Sequence, residues 1–445
     1  MNSTLISNAR VVNEGRIFDA DVLVKDGRID KIDSSISAPE GARVIDARGR
    51  HLLPGMIDDQ VHFREPGLTH KAEIATESAA CVAGGITSFM EMPNVKPPTL
   101  DQAAVEDKRE RASRKSLANF AFYLGAANDN IDAIRSIDPT IACGLKVFMG
   151  ASTGNMLVDD DNTLRRIFDE SPLPIITHCE DTPLITANEQ AAREKYGEDV
   201  PPEEHPYIRS EEACWLSSAK AVALAKEYDS RLHVIHVTTA RELQHFTPGP
   251  VAGKRITAEA CVHHLWFDES DYAEKRHLIK CNPAIKRAED REALLKAVAE
   301  DRIDVIATDH APHLAEEKAQ PYFGAPSGLP LVQEALLTVL EHVRRGVFSL
   351  EHAVKKTSHS VAECYQVAER GFIREGYWAD LTLVDLETPT DVDAQPVFSK
   401  CGWTPFAGTR FSSSIAATMV SGQLAWYEGK IDRDCRGRAL LFDRS

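Results

Sequence analysis

Gly55-Met-Ile-Asp-Asp-Gln-Val-His-Phe-Arg-Glu-Pro-Gly67 is the stretch from which the rest of the chain can be read. Met56 to Val61 reads as a short buried strand that breaks into a loop at Glu65-Pro66-Gly67, and at the break it throws out Asp58, His62 and Arg64. Side chains two apart on a strand share a face, so Gln60, His62 and Arg64 point the same way. Histidine and arginine aimed together off a strand end are poor core material. A neutral imidazole can hold a metal, and a guanidinium can grip a carboxylate with two prongs.

Working outward, strand-like runs recur at 56–62, 86–91, 119–125, 143–148, 174–178, 232–236, 256–261 and 303–308. Helical patterns lie between most of them. His70 to Ala83 ends on Gly84-Gly85, Asp101 to Arg114 opens on an aspartate cap, and Glu211 to Tyr228 and Glu289 to Glu300 follow the same logic. Eight strands with interleaved helices predict an α/β fold, a (β/α)8 (TIM) barrel. The flanks differ. Short alternating segments with tight turns, among them Asp26-Gly27, fill the first 50 residues, and the same texture returns after Gly376. This predicts a small β-sandwich domain built from both termini, residues 1–53 plus 376–445, around a barrel of residues 54–375.

On such a barrel the functional rim is the C-terminal end of the strands. His62 and Arg64 end the first strand, Asn94 follows the second, and Lys146 lies in the fourth. His178 closes the fifth, His236 the sixth and Asp309 the eighth. In Leu232-His-Val-Ile-His236 two histidines compete. His236 runs straight into the loop and is the metal candidate; His233, on the other face, is expected to pack against a helix. A lysine in the buried run Cys143–Met149 is costly as an ammonium. As a free amine it can take up carbon dioxide, giving a carbamate whose two oxygens can bridge cations. The structural alternative is a lysine paired with a neighbouring carboxylate. Asp309 can both touch a metal and shuttle a proton. Asp304 reads as structural, His310 as ambiguous and His313 as substrate-facing, while the tandem pair His263-His264 cannot point one way. Three imidazoles, a carbamate and a carboxylate form an N/O-rich set that suits zinc. The chemistry implied is hydrolysis of an amide-like bond, or its reverse.

Composition narrows the partners. The chain has 445 residues, 43% of them hydrophobic, and a net charge of −17, which argues against nucleic acid or an anionic membrane surface. Nine scattered cysteines without a C-x-x-C pair read as reduced thiols. The N-terminus has no basic flank followed by an apolar run, and no segment reaches the roughly 18 apolar residues of a membrane helix. A soluble, cytoplasmic protein acting on a small molecule is expected.

The motifs, taken in order, resemble the cyclic amidohydrolases and, within them, the dihydroorotases. The resemblance rests on His62-Phe-Arg-Glu-Pro-Gly67, Met92-Pro-Asn-Val-Lys-Pro-Pro98, Gly144-Leu-Lys-Val-Phe148, Thr177-His-Cys-Glu180, His236-Val-Thr-Thr239, Cys281-Asn-Pro-Ala284, Ala307-Thr-Asp-His-Ala-Pro-His313 and Ala379-Asp-Leu381. It implies zinc, two ions in the full pattern, at His62, His178, His236 and Asp309, bridged by carbon dioxide carried as a carbamate on Lys146. It implies substrate contacts from Arg64, Asn94, Asn282, His313 and the 324–328 loop with Ala325 and Pro326. Asp309 would be the general acid/base. The reaction implied is reversible closure of N-carbamoyl-L-aspartate to L-dihydroorotate in pyrimidine synthesis. Gln60 departs from the family's His-x-His: either its amide takes the ligand position, or Asp58 or water compensates, or one metal site is weak. Allantoinase or dihydropyrimidinase chemistry is the alternative within the class. A catalytically silent scaffold for aspartate transcarbamoylase is the alternative outside it. A homo-oligomer is compatible with the sequence. The stretch 149–156, rich in Gly and Ser, is one candidate for a loop over the substrate.

Overall fold

The computed structural model describes residues 3–150, 156–158 and 160–444; most of the candidate covering loop, 151–155, lies outside them. Eight parallel strands form the central sheet in sequence order: Met56–Val61, Ile86–Glu91, Asn119–Gly125, Ala142–Phe148, Ile175–His178, Leu232–Val234, Ile256–Cys261 and Val305–Ala307. Each follows one of the runs expected from sequence. The sheet comes back on itself where the first strand meets the segment after the eighth. His62 N donates to the His310 carbonyl at 2.7 Å, and Thr308 Oγ1 donates to Asp58 Oδ2 at 2.6 Å. Asp58 is therefore not thrown outward as expected. Thr308 takes both its oxygens, because the carboxylate is fully buried and needs donors there.

Barrel strands are buried on both faces, and the alternation separates two cores. Ile57, Met90, Ala121, Tyr123, Cys143, Ile176, Ile235 and Val305 fill the inside, closed below by Tyr365, Leu440 and Phe442. Phe89, Phe120, Phe122, Leu145, Val147, Ile175, Leu232 and Val234 face outward with the helices. Those helices start and stop where their caps say. Asp101 accepts from Ala104 N at 2.8 Å to open Gln102–Lys115, and Ser210 opens Glu211–Glu227. The first helix starts four residues later than expected, at Ile74 rather than His70. Glu65 Oε2 takes the Ile74 N–H at 3.1 Å, which fixes the entry point.

The terminal strands form a separate nine-stranded sheet. His51–Pro54 joins the halves, parallel to Ser3–Asn13 on one edge and antiparallel to Leu381–Asp385 on the other. Asp26 and Gly27 both have positive φ (50° and 88°), the conformation that a two-residue hairpin turn requires. Asp380 ties this sheet to the barrel, accepting from Asn119 Nδ2 at 2.9 Å and pairing with Arg370. All nine cysteines are buried and free. Among the described residues no helix is long and apolar enough to cross a membrane.

Candidate active site at the barrel rim

The expected residues converge in two groups. In the first, Asp309 Oδ1 receives Gln60 Nε2 at 2.9 Å and lies 3.1 Å from His62 Nε2. His62 Nδ1 is 2.9 Å from Asn94 Oδ1, an acceptor, so the Nδ1 proton points at Asn94 and the Nε2 lone pair faces the carboxylate. Two lone pairs at that distance need a proton or a cation between them. Burial works to raise the Asp309 pKa, but the hydrogen bond and charge of His62 overcome it, and the carboxyl is held below its ordinary value.

In the second group, His178 Nδ1 and His236 Nε2 face each other at 2.9 Å. His178 Nε2 is 2.9 Å from the fully buried Glu180 carboxylate, which also pairs with Arg209 at 2.9 Å. The carboxylate takes the Nε2 proton and leaves the Nδ1 lone pair directed at His236, the arrangement that outer-shell carboxylates impose on metal-binding histidines. Burial tends to raise the pKa of Glu180, yet Arg209 and His178 bring it down to about 2. Lys146 is near enough to both groups for its charge to act on His62, His236 and Asp309. Its ammonium is buried, has no hydrogen-bond partner among the described residues, and sits 4.9 Å from the Phe148 ring. Burial lowers its pKa to about 8.

Beside these groups Arg64 is buried, donating from Nε to the Pro312 carbonyl at 3.2 Å, with Nη2 3.0 Å from His313 Nε2. Burial brings its pKa down to about 10. Lys71 Nζ reaches His313 Nδ1 at 3.0 Å, so His313, held well below the usual imidazole range by burial and these cations, is neutral. The Asn282 Oδ1 is buried without a partner among the described residues. Below the 324–328 loop the Lys318 ammonium donates to the carbonyls of Lys280, Pro326 and Gly328 at 2.9–3.0 Å, and Lys280 donates to the Ala325 carbonyl at 2.7 Å. Arg64, His236 and Asp309 all have left-handed backbone, with φ of 66°, 40° and 53°. Each such residue costs on the order of 1–3 kcal/mol, and such strain clusters at active sites.

One histidine departs from expectation, and one left ambiguous is resolved. His233 does not pack against a helix. It turns into the barrel toward Asp59 and Glu259 because Leu232 and Val234 take the helix-facing side. His236 would share that outer side by alternation, and its left-handed φ swings it to the rim instead. His310 is structural, its Nε2 bonded to Glu77 at 2.8 Å and its Nδ1 accepting from Leu331 N at 2.8 Å. His263 and His264 lie tilted against each other with centroids 3.9 Å apart, and with Cys261 they form a compact buried trio. Glu180 and Arg209 were not singled out from sequence; the carboxylate two residues after His178 was the available signal.

The chain belongs to the amidohydrolase family: the family's sequence model, "Amidohydrolase family", matches residues 51–425. Its activity is that of a cyclic amide hydrolase. Among curated relatives, a dihydroorotase of Bacillus cytotoxicus is 34% identical over 95% of this chain and 98% of its own length, and one of Bacillus cereus is 33% identical over the same shares. Among solved structures, L-hydantoinase (dihydropyrimidinase) from Arthrobacter aurescens superposes with a TM-score of 0.90 at 27% identity, covering 97% of this chain and 98% of that one.

Proposed function

We propose that this protein interconverts N-carbamoyl-L-aspartate and L-dihydroorotate, with residues 54–375 carrying the site. The observation that carries the proposal is Arg64, a buried guanidinium at the rim beside the His62–Asp309 group, with a neutral histidine at its side. A ring bearing a carboxylate needs such a partner; a hydantoin without one does not. The 33–34% identity to dihydroorotases supports the same reading.

The donor set fits zinc: the His178 Nδ1 lone pair stands opposite His236 Nε2, and the Lys146 amine is unpaired. His62, His178, His236 and Asp309 would hold it, with Lys146 carbamylated as the bridge. When bound, the metal polarises the ring carbonyl and makes water more acidic. The chain's own residues do the rest. Arg64 grips the carboxylate and, with Asn94, Asn282 and His313, sets the ring over the rim. In the hydrolytic direction Asp309 takes the proton of the water adding to the ring carbonyl and returns it to the departing ring nitrogen. In reverse, the ureido nitrogen closes on the side-chain carboxyl carbon and water leaves. Glu180 and Asn94 keep His178 and His62 in the tautomers that face inward.

The second reading, a hydantoinase-type cyclic amidase, is favoured by the Arthrobacter structure. Steady-state kinetics separate the two. Arg64→Ala should lower kcat/KM for dihydroorotate by roughly a hundredfold or more, since hydrogen bonds to charged groups contribute about 1.5–3 kcal/mol each, and leave metal content unchanged. Faster turnover of hydantoin than of dihydroorotate by the wild-type enzyme would overturn the proposal. Absence of both metal and turnover would favour a silent scaffold.

A further inference from the structure

Beneath the rim, inside the barrel, lies a second cluster that the reaction does not use. Asp59 from the first strand, His233 from the sixth and Glu259 from the seventh meet there, each at most 2% exposed. Their ligand atoms all lie within 4.8 Å of one another. His233 Nε2 stands 3.4 Å from Asp59 Oδ2 and 3.5 Å from Glu259 Oε2. Both Asp59 oxygens, Glu259 Oε2 and His233 Nε2 are buried without a hydrogen-bond partner among the described residues.

We propose that Asp59, His233 and Glu259 bind a divalent cation of zinc's class at this interior position. Four considerations carry the proposal, none of which depends on the rim's substrate. The first is the tautomer of His233. Its Nδ1 is 2.8 Å from Thr257 Oγ1, whose hydroxyl is in turn 3.3 Å from the Leu232 carbonyl. The proton therefore sits on Nδ1, and the Nε2 lone pair points at the carboxylates. The second is spacing. Metal–ligand bonds of about 2.0–2.2 Å place neighbouring donors of a tetrahedral ion roughly 3.4 Å apart, which matches the two separations and is longer than a good hydrogen bond.

The third consideration is charge. Among the described residues no lysine or arginine pairs with Asp59 or Glu259. A protonated His233 can serve one carboxylate oxygen through Nε2 and leaves at least two unserved in a dry interior, whereas a divalent cation can neutralise both acids and engage the orphan atoms. The last is access. A cleft of about 330 Å³ opens at the lower end of the barrel, lined by His233, Thr257 and Cys364. It brings solvent up to His233 from the end away from the rim, while Asp59 and Glu259 lie deeper and do not line it. The other oxygen of Glu259 accepts from His236 N at 3.1 Å, so the ion would also steady the residue from which His236 turns outward.

The test is an anomalous difference map recorded on either side of the zinc edge, from crystals of the wild-type protein equilibrated with zinc chloride. A peak bounded by Asp59, His233 and Glu259 is expected. Elemental analysis of Asp59→Asn should then find about one metal equivalent per chain fewer than wild type, with any rim peaks retained. If no peak lies among the three side chains, the proposal is overturned and His233 is an imidazolium wedge, whatever the rim holds. A peak there with an empty rim would uphold it and count against the metal reading of the rim instead. Because the wild-type map decides the question, an Asp59→Asn chain that failed to fold would not affect the outcome.

Discussion

Replacing Glu180 with glutamine alters one atom of the site and should weaken metal binding without removing a ligand. The wild-type carboxylate accepts from His178 Nε2 and from Arg209 Nη1, both at 2.9 Å, in full burial. Both donors reach the same oxygen, Oε2, so an amide oxygen placed there can still accept from both, but the negative charge is gone. Arg209 then loses its counter-charge and His178 is oriented by a weaker, neutral acceptor. Mutation of an outer-shell partner of this kind typically costs 10–100-fold in metal affinity, or about 1.4–2.7 kcal/mol. Folding should respond as well. The carboxyl is depressed from 4.5 to about 2 in the fold. Such a group stabilises the protein above its unfolded pKa, and the contribution is lost as pH falls from about 4.5 through 2. Its size at neutral pH is on the order of 3 kcal/mol at most. Glu180→Gln should therefore remove part of the acid-side decline in stability. Zinc affinity in a chelator-buffered titration and urea unfolding at several pH values between 3 and 7 measure both effects. Unchanged zinc affinity together with an unchanged acid limb would refute the reasoning.

Gln60→His would add an imidazole beside His62 and Asp309 and remove the amide donor on Asp309; metal content by elemental analysis should rise by up to about one equivalent per chain. Lys146→Met should cost more metal affinity and activity than the roughly 10–100-fold of an outer-shell change, and adding bicarbonate should restore the unsubstituted protein after carbon dioxide depletion but not this variant. Gly328→Ala places a Cβ 2.4 Å from the Ala311 carbonyl at a φ of 142°. Strain of about 1–3 kcal/mol should lower Tm and raise KM through the adjacent His313.

The barrel was legible because its strands are short, rich in apolar residues and spaced by helical patterns, and the strand ends that carried a polar side chain marked the rim. His62, Arg64, His178 and Asp309 could be placed that way. The sixth strand shows the limit. Alternation assigns Leu232, Val234 and His236 to one side, and only the left-handed turn at His236, which local sequence does not announce, sends it elsewhere. Asp58 and Asp59 show another. They are adjacent identical residues on one strand, yet one is bonded to Thr308 and the other faces His233 across the interior. Which acid does which depends on partners some 175 and 250 positions away in the chain, and no local pattern encodes those. The pairing of Glu180 with Arg209 was hidden for the same reason.

The bond between Asp58 and Thr308 has a consequence for how the protein ages under heat. It fastens the two chain segments that carry His62 and Asp309, so the proton-handling half of the chemistry straddles the seam where the barrel closes. Fraying there would part the pair by ångströms while leaving the helices intact. Inactivation should then run ahead of melting, with a warmed sample losing turnover while its circular dichroism is still that of the native enzyme.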